Sequence, residues 1–197
     1  MVISMKQIVV AMTGASGSIF ALRLLEHLHR RSDVQTHLII SRWARTTAAH
    51  AMGMEEDQAQ AALAALADFF YDDGDMTAPV ASGSFRHDGM IVIPCSMKTL
   101  GAIAWGISEA LIPRAADVTI KERRPLVLVT RETPLSPIHL ENMLRLSRIG
   151  VTIMPPVLGL YSGEKTIEEA ADTFAGRALE QLGIENDLYR PWAGVVR

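Results

Sequence analysis

The feature that most constrains this fold is a series of short apolar runs, separated by segments with helical periodicity. Five runs have the length of a strand, at residues 8–12, 34–40, 90–93, 126–129 and 151–154. Parallel strands buried on both faces read as continuous apolar runs, and crossover helices join them. The pattern predicts an α/β fold, a Rossmann-like (flavodoxin-like) open parallel sheet with helices on both faces.

Helices are predicted between these runs. The first follows residue 17, where apolar residues recur at positions 19, 22, 25 and 28. Others are predicted at about 42–51, 55–68, 99–108, 137–148 and 166–182. The stretch from Met54 to Asp75 has seven acidic residues and neither Lys nor Arg. It is interpreted as a solvated helix and loop on the rim.

Length and composition narrow the class of protein. The 197 residues suit one domain spanning 1–197, and 49% are hydrophobic. A net charge of −3 argues against a nucleic-acid partner, so an anionic ligand needs a local group of cations. The lone Cys95 excludes an intrachain disulfide and fits a cytoplasmic location. No secretory start or membrane-spanning run is recognised, which predicts no membrane partner.

Ligands of an open parallel sheet bind beyond the carboxyl ends of its strands, so the residues there are candidates. After the first run come Gly14, Ala15, Ser16 and Gly17, whose small size lets an anion approach a helix N-terminus. A tight turn explains the same residues equally well. The loop matches neither the dinucleotide fingerprint nor a Walker loop, which disfavours nicotinamide and triphosphate ligands.

Polar residues also follow the second and third runs. Ser41 reads as a helix N-cap. The loop of Ser96, Met97, Lys98 and Thr99 gathers hydroxyls and a cation at a helix start, which suits either an anion or flavin cradle or ordinary capping. Cys95 is disfavoured as a nucleophile, because no local base accompanies it.

Cations cluster between residues 114 and 131. Arg114, Lys121 and Arg131 form a candidate phosphate site, with Glu132 beside them, whereas Arg123 and Arg124 are expected to face solvent. The alternative is a salt-bridged surface helix. The six histidines lack metal-ligand spacing, and no Ser/His/Asp order indicates a hydrolase, so no metal is predicted.

With these residues assembled, nearly the whole chain resembles the UbiX flavin prenyltransferase family, including the small subunits associated with hydroxyarylic acid decarboxylases. The resemblance is carried by seven motifs: Met12-Thr-Gly-Ala-Ser-Gly17, Ala81-Ser-Gly-Ser-Phe85, Ile93-Pro-Cys-Ser-Met-Lys-Thr-Leu100, Arg114-Ala-Ala-Asp-Val118, Lys121-Glu-Arg-Arg124, Arg131-Glu-Thr-Pro-Leu135 and His139-Leu-Glu-Asn-Met-Leu144.

The resemblance implies two sets of binding residues. FMN would be held by Gly14, Ala15, Ser16, Ser41, Ser96, Met97, Lys98, Thr99 and Arg131. Dimethylallyl phosphate would be held by Arg114, Lys121, Arg131, Glu132, Tyr161 and Arg177, with Trp192 near the site. Catalytic roles are implied for Ser16, Lys121 and Glu132.

The resemblance also implies the reaction and the partners. A metal-independent enzyme would join the dimethylallyl group to N5 of reduced FMN and then close a ring at C6. The prenylated FMN would pass to a UbiD-like decarboxylase. The enzyme would be a homo-oligomer, expected to be a dodecamer that buries apolar surface around Trp43, Trp105 and the C-terminal segment.

Two departures from the family keep alternatives open. Many relatives carry Glu ten residues after the equivalent of Ser41, where this chain has Ala51 preceded by His50; a local insertion would move that carboxylate to Glu55 or Glu56. The loop around Tyr161 also differs. An FMN-binding accessory subunit without prenyl transfer is therefore one alternative. A flavin-dependent cysteine decarboxylase is disfavoured, because it would need P-A-S-A-N-T at residues 94–99.

Overall fold

A six-stranded parallel sheet forms the centre of the molecule. The computed structural model describes residues 5–159 and 163–194. The strand order is β3-β2-β1-β4-β5-β6. The strands are β1 (Lys6–Met12), β2 (Val34–Ile40), β3 (Phe69–Asp72), β4 (Gly89–Cys95), β5 (Leu126–Thr130) and β6 (Thr152–Ile153). Every neighbouring pair is parallel, which confirms the predicted fold class.

Helices cover both faces of this sheet. They are α1 (Ser18–His29), α2 (Arg42–Met52), α3 (Glu56–Ala64), α4 (Met97–Ala104), α5 (Leu111–Lys121), α6 (Pro137–Arg148) and α7 (Ile167–Gln181). The apolar side chains of α1, α2, α3 and α7 share one core layer, and those of α4, α5 and α6 share the other. No helix among the described residues is long and apolar enough to cross a bilayer.

The prediction was wrong at the edge of the sheet. The segment predicted to be helical over 55–68 is helix α3 only to Ala64, and Phe69–Asp72 then forms the edge strand β3. This strand pairs with β2 on one side only, and its residues are exposed or half-buried. An edge strand need not be a buried apolar run, so the pattern that identifies central strands does not detect it.

Helix α5 is a second difference between prediction and structure. The sequence pattern of its cation-rich segment predicts a phosphate site, with a surface helix only as the alternative. The buried side of α5 is apolar and includes Leu111, Ile112 and Val118. The cations Arg114 and Lys121 are not among its buried residues. Asp73 accepts a hydrogen bond from the Ile112 N–H at 2.8 Å and so caps the first turn from outside the helix. Burial raises the pKa of this Asp73 carboxyl.

Two histidines lie in the layer between the sheet and α5. His37 on β2 is 3% exposed, stacks on Phe69, and its Nδ1 lies 3.0 Å from the Tyr71 hydroxyl. His87 is 7% exposed, and its Nδ1 lies 3.1 Å from the carbonyl of Gly89. Burial lowers the pKa of His37, and burial followed by the nearby Arg124 lowers the pKa of His87 to about 4. Both rings are therefore neutral at neutral pH.

Acid should destabilise the protein through His87. The unfolded state binds a proton near pH 6.5 and the folded state near pH 4, so stability present above pH 6.5 is lost as the pH falls through this window. The full loss is about 3 kcal/mol. Urea unfolding of wild type and His87→Gln between pH 7 and pH 4 should show a smaller pH dependence in the variant. Equal pH dependence would contradict the assignment.

Candidate active site

The carboxyl ends of β1 and β4 meet where the chain order reverses, with β2 and β3 on one side of β1 and β4 to β6 on the other. Crevices at such a reversal are the usual ligand sites of open parallel sheets. Thr13 joins the two ends. Its hydroxyl donates to the Pro94 carbonyl at 2.7 Å and accepts from the Ser96 N–H at 2.8 Å. Thr13 is 2% exposed, so this clasp is shielded from water.

The loop after β1 leads into the N-terminus of α1. Gly17 stands at the N-cap with φ 114°, a left-handed conformation that favours glycine, and no side chain in the described part of the chain caps the helix. The first N–H groups of α1 are therefore available to an external acceptor, beside the small residues Ala15 and Ser16. Gly14 has a different role, because a Cβ there would meet the Cβ of Trp43 at 2.4 Å. Close approach of α2 requires glycine at this position.

An open cleft of about 350 Å³ lies between this helix start and α2. Its walls are Ser16, Gly17, Ser18, Thr46, Thr47, His50 and Ala51. Ala51 therefore lies in the same cleft as Ser16. Neither Glu55 nor Glu56 lines this cleft, but Glu56 accepts a hydrogen bond from the Thr46 hydroxyl at 2.7 Å. The cleft wall on α2 thus has a histidine and, behind Thr46, a carboxylate.

The hydroxyls of Ser41 and Ser96 cap helices. Ser41 accepts from the Ala44 N–H at 3.2 Å, and Ser96 accepts from the Thr99 N–H at 3.3 Å. The capping interpretation is therefore correct for both. The Ser96 hydroxyl also lies 3.1 Å from the Thr99 hydroxyl, and either of these two can be the donor. Met97 and Lys98 occupy the first turn of α4, at the same edge of the sheet.

Cys95 does not serve as a nucleophile in this arrangement. Its thiol is fully buried, and burial raises its pKa to about 12. At neutral pH the thiolate, which is the reactive form, is scarce.

Arg131 and Glu132 follow β5 at this same edge. The Arg131 N–H donates to the Cys95 carbonyl at 3.2 Å, which ties the ends of β4 and β5 together. Both side chains are exposed. The carboxylate of Glu132 accepts from the Thr133 N–H at 3.0 Å. All residues proposed for FMN thus lie at the carboxyl edge of the sheet.

The structure separates Lys121 from Arg131 within one chain. Lys121 ends α5 on the amino side of β5, whereas Arg131 follows its carboxyl end. The five residues of β5 at about 3.3 Å each place these positions roughly 15 Å apart or more. Lys121 forms an ion pair with Glu122 and lies against Gly83. The single phosphate site predicted for these two cations is therefore not assembled by one chain.

Other predicted donor-binding residues are also dispersed. Arg114, one turn into α5, donates to the Ala81 carbonyl at 3.0 Å and pairs with Asp117. Arg177 lies in the second half of α7, over the ring of Tyr189 at 5.5 Å. Trp192 is 70% exposed beyond this helix. Tyr161 lies outside the described residues.

The expectation for Arg123 and Arg124 was half correct. Arg123 is exposed, but Arg124 is half-buried because its guanidinium donates to the carbonyls of Phe85 and Gly83 at 2.8 and 3.2 Å. Arg124 therefore anchors the loop that precedes β4.

Within residues 5–159 and 163–194, no three His, Cys, Asp or Glu side chains group closely enough to hold a metal ion.

Thr13 is the site residue that sequence reasoning missed. The signal was weak, since a threonine next to a glycine-rich loop has no distinctive spacing. Its importance appears only when the strand order places β4 beside β1.

Comparison with known proteins gives a consistent picture. The model of the family described as Flavoprotein matches residues 3–176. A probable UbiX-like flavin prenyltransferase from Streptomyces sp. (strain D7) is 49% identical over 96% of this chain and 92% of its own. The flavin prenyltransferase LpdB of Lactiplantibacillus plantarum is 48% identical over 96% of this chain and all of its own.

Solved structures agree with these relatives. AnUbiX (PadA1) in complex with FMN and dimethylallyl pyrophosphate is 47% identical, with a TM-score of 0.92 over 98% of this chain and all of that chain. A dodecameric FMN-dependent UbiX-like decarboxylase from Escherichia coli O157:H7 is also 47% identical, with a TM-score of 0.91 over 95% of this chain and all of that one.

The Thr13 clasp can be tested by Thr13→Val, which keeps the shape and removes the hydroxyl. We expect a loss of about 1–3 kcal/mol in the free energy of unfolding, because the Ser96 N–H loses its acceptor. FMN affinity should fall as the two loops separate. Urea unfolding and fluorescence titration with FMN measure both effects, with Thr13→Ser as the control that keeps the hydroxyl. Wild-type values for Thr13→Val would show that the clasp does not organise the site.

Proposed function

The chain belongs to the family of UbiX-like flavin prenyltransferases, and from this membership we propose that it joins the dimethylallyl group of dimethylallyl phosphate to reduced FMN at N5 and C6. The observation that carries the proposal is the cradle at the carboxyl edge: an uncapped helix start, small residues and the Ser16 cleft meet there. These residues suit a mononucleotide, and the loop after β1 lacks the dinucleotide fingerprint, so FMN rather than FAD is the ligand.

The residues of the cradle fit the parts of FMN. The free N–H groups at the start of α1 favour an anionic or carbonyl oxygen, and the hydroxyls of Ser16, Ser41 and Ser96 can donate to others. Arg131 adds a guanidinium with five donors at the same edge. Reduced FMN supplies the nucleophilic atoms and a π surface that stabilises a developing allylic cation.

The remaining residues act on the prenyl donor. Its phosphate is the leaving group, and cations stabilise the charge that develops as it departs. We assign this task to Arg131, Lys121 and Arg177, with Glu132 orienting the cations. Proton transfer falls to the departing phosphate or to Glu132, so no dedicated histidine is required. We assign to Ser16, which lines the cleft, a hydrogen bond to the flavin.

Separation of Lys121 and Arg177 from Arg131 supports a site shared between chains. Both lie away from the carboxyl edge of their own sheet, and yet phosphate binding requires convergent charge. A homo-oligomer, proposed to be a dodecamer, would bring Lys121 and Arg177 of other copies to each FMN cradle. The dodecameric relative supports this assembly. Residues 1–197 would form one flavin-binding α/β domain within it.

The product would serve a UbiD-like decarboxylase, as the resemblance implies. We propose a cytoplasmic location, supported by the single free, buried Cys95, which suits a reducing compartment.

Incubation with reduced FMN and dimethylallyl phosphate tests the proposed function. The mass of the extracted flavin should show the addition of one dimethylallyl group. Because Ala51 lines the cleft at the position where the resemblance implies Glu in many relatives, ring closure should be slow, and flavin joined only at N5 should accumulate. Unchanged flavin would refute prenyl transfer and favour the accessory subunit.

Variants of the cleft wall show which residue transfers the proton during ring closure. Ala51→Glu should speed ring closure by about a hundredfold if geometry permits, and His50→Ala should slow it if the imidazole substitutes for the carboxylate. Time-resolved flavin spectra follow the step. Fast closure by wild type and by His50→Ala alike would show that neither position matters and would leave phosphate or Glu132 as the base.

Subunit mixing tests the shared site. Lys121→Ala and Arg177→Ala should each weaken donor binding by about 1.5–3 kcal/mol and leave FMN binding intact, whereas Arg131→Ala should weaken both. Arg30→Ala, which removes an exposed cation from the end of α1, is the matched control.

Co-expression of Lys121→Ala with Arg131→Ala should then restore activity, because about a quarter of the sites in a random assembly receive both wild-type residues from different chains. Activity and the composition of the purified mixed oligomer are measured together. Mixed oligomers without recovery would contradict a site that draws these two residues from different chains.

A further inference from the structure

An apolar stripe on the outer side of α6 is left uncovered by residues 5–159 and 163–194. Leu140 and Leu144 are each 51% exposed, and Ile149 follows the helix with 59% exposure. Trp105, at the end of α4, is 64% exposed beside them. Contiguous exposed apolar side chains of this size mark an interaction site rather than ordinary surface.

The stripe is rigid. Asn142, on the buried side of α6, accepts a hydrogen bond from the Trp105 indole N–H at 3.0 Å. The guanidinium of Arg145 lies 4.4 Å from the centre of the Trp105 ring. These contacts fix the indole against α6, so the groove of about 510 Å³ beside it is already formed before any partner arrives.

The charged residues beside the stripe can pair with the same residues of a second copy of the chain. Glu141 lies one turn before Leu144, and Arg148 lies one turn after it, so all three project from the same side of α6. Among residues 5–159 and 163–194, neither Glu141 nor Arg148 forms an ion pair. An antiparallel second copy of α6 would bring Arg148 to Glu141 and Glu141 to Arg148. An unrelated partner would have to supply this charge pattern separately.

We propose that this face of α6 is a twofold interface between two copies of the chain, with α6 packed antiparallel on α6 about an axis beside Leu144. Glu141 of each copy faces Arg148 of the other, and the two Leu144 side chains meet at the axis. A twofold contact uses the same patch on both chains and therefore requires a self-complementary surface. The proposal goes beyond the reaction, since none of these residues belongs to the flavin cradle.

Charge reversal gives a test that only this pairing passes. Glu141→Arg alone places Arg against Arg, and Arg148→Glu alone places Glu against Glu, so each variant should lose the interface. An equimolar mixture of the two should reassemble, because the arginine introduced in one chain then faces the glutamate introduced in the other, and the native Arg148 faces the native Glu141. The double variant should assemble by itself but not with wild type.

Sedimentation velocity measures the mass of each sample, and FMN binding with circular dichroism verifies that the chains are folded. Each single variant should show a fall in assembly mass of about twofold or more, and the mixture should recover the wild-type mass. A monomeric wild type, single variants with wild-type mass, or dissociated variants that stay apart when mixed would each overturn the proposal.

Crosslinking provides an independent measurement. Leu144→Cys should form a disulfide-linked dimer under mild oxidation, because the two residues meet at the axis, and the native Cys95 is fully buried. Ile138→Cys is the matched control. It is 68% exposed on the same helix, but six residues from Leu144, about 9 Å along α6, so it should not link to its own copy. Equal crosslinking at both positions, or none at 144, would overturn the twofold arrangement.

Discussion

The hydroxyl of Thr13 is the contact on which the geometry of the site depends. Strands β1 and β4 are neighbours in the sheet, but Thr13 and Pro94 are 81 residues apart in the chain, so nothing local fixes how their loops meet. One buried hydroxyl bonds to both sides of Pro94, at its carbonyl and at the N–H of Ser96. Removal would leave a buried donor unpaired, which costs more than an ordinary hydrogen bond contributes. Together with the backbone bond from the Thr13 N–H to the Pro94 carbonyl at 3.2 Å, this hydroxyl holds the loop before α1 against the loop before α4.

The sequence was most informative where a strand is buried on both faces. Residues 8–12 read directly as a strand, because a short continuous apolar run is typical of a central parallel strand, and Leu38, Ile39 and Ile40 mark the end of the second in the same way. The edge strand at Phe69–Asp72 has only three consecutive apolar residues, flanked by acidic ones, and was therefore missed. Helix α5 was obscured because its cations attracted a functional interpretation, while its apolar residues determine its conformation.

The residues of the candidate site also differ in how far the sequence could locate them. Residues directly after a strand, such as Ser16, Ser96 and Arg131, could be placed at one edge from the strand pattern alone. Whether Lys121 shares that edge depends on the direction of α5 and on how chains associate, and neither is encoded in local spacing. In the proposed shared site, a chain of net charge −3 would keep its cations apart and concentrate positive potential only where surfaces of several copies meet. On that proposal, an isolated chain would hold flavin better than prenyl phosphate.

The contact between Gly14 and Trp43 governs how this protein can diverge. Position 14 tolerates no side chain while the first turn of α2 stays in place, since backbone as well as Cβ atoms of Trp43 lie within 3.4 Å of the missing Cβ. A mutation there would displace Ser41 and the whole wall of the cleft. Positions 50 and 51 lie on the same wall but are exposed and face open space. Substitutions along this wall of α2 can therefore change the chemistry of the cleft, while residue 14 must remain glycine for α2 to keep its position.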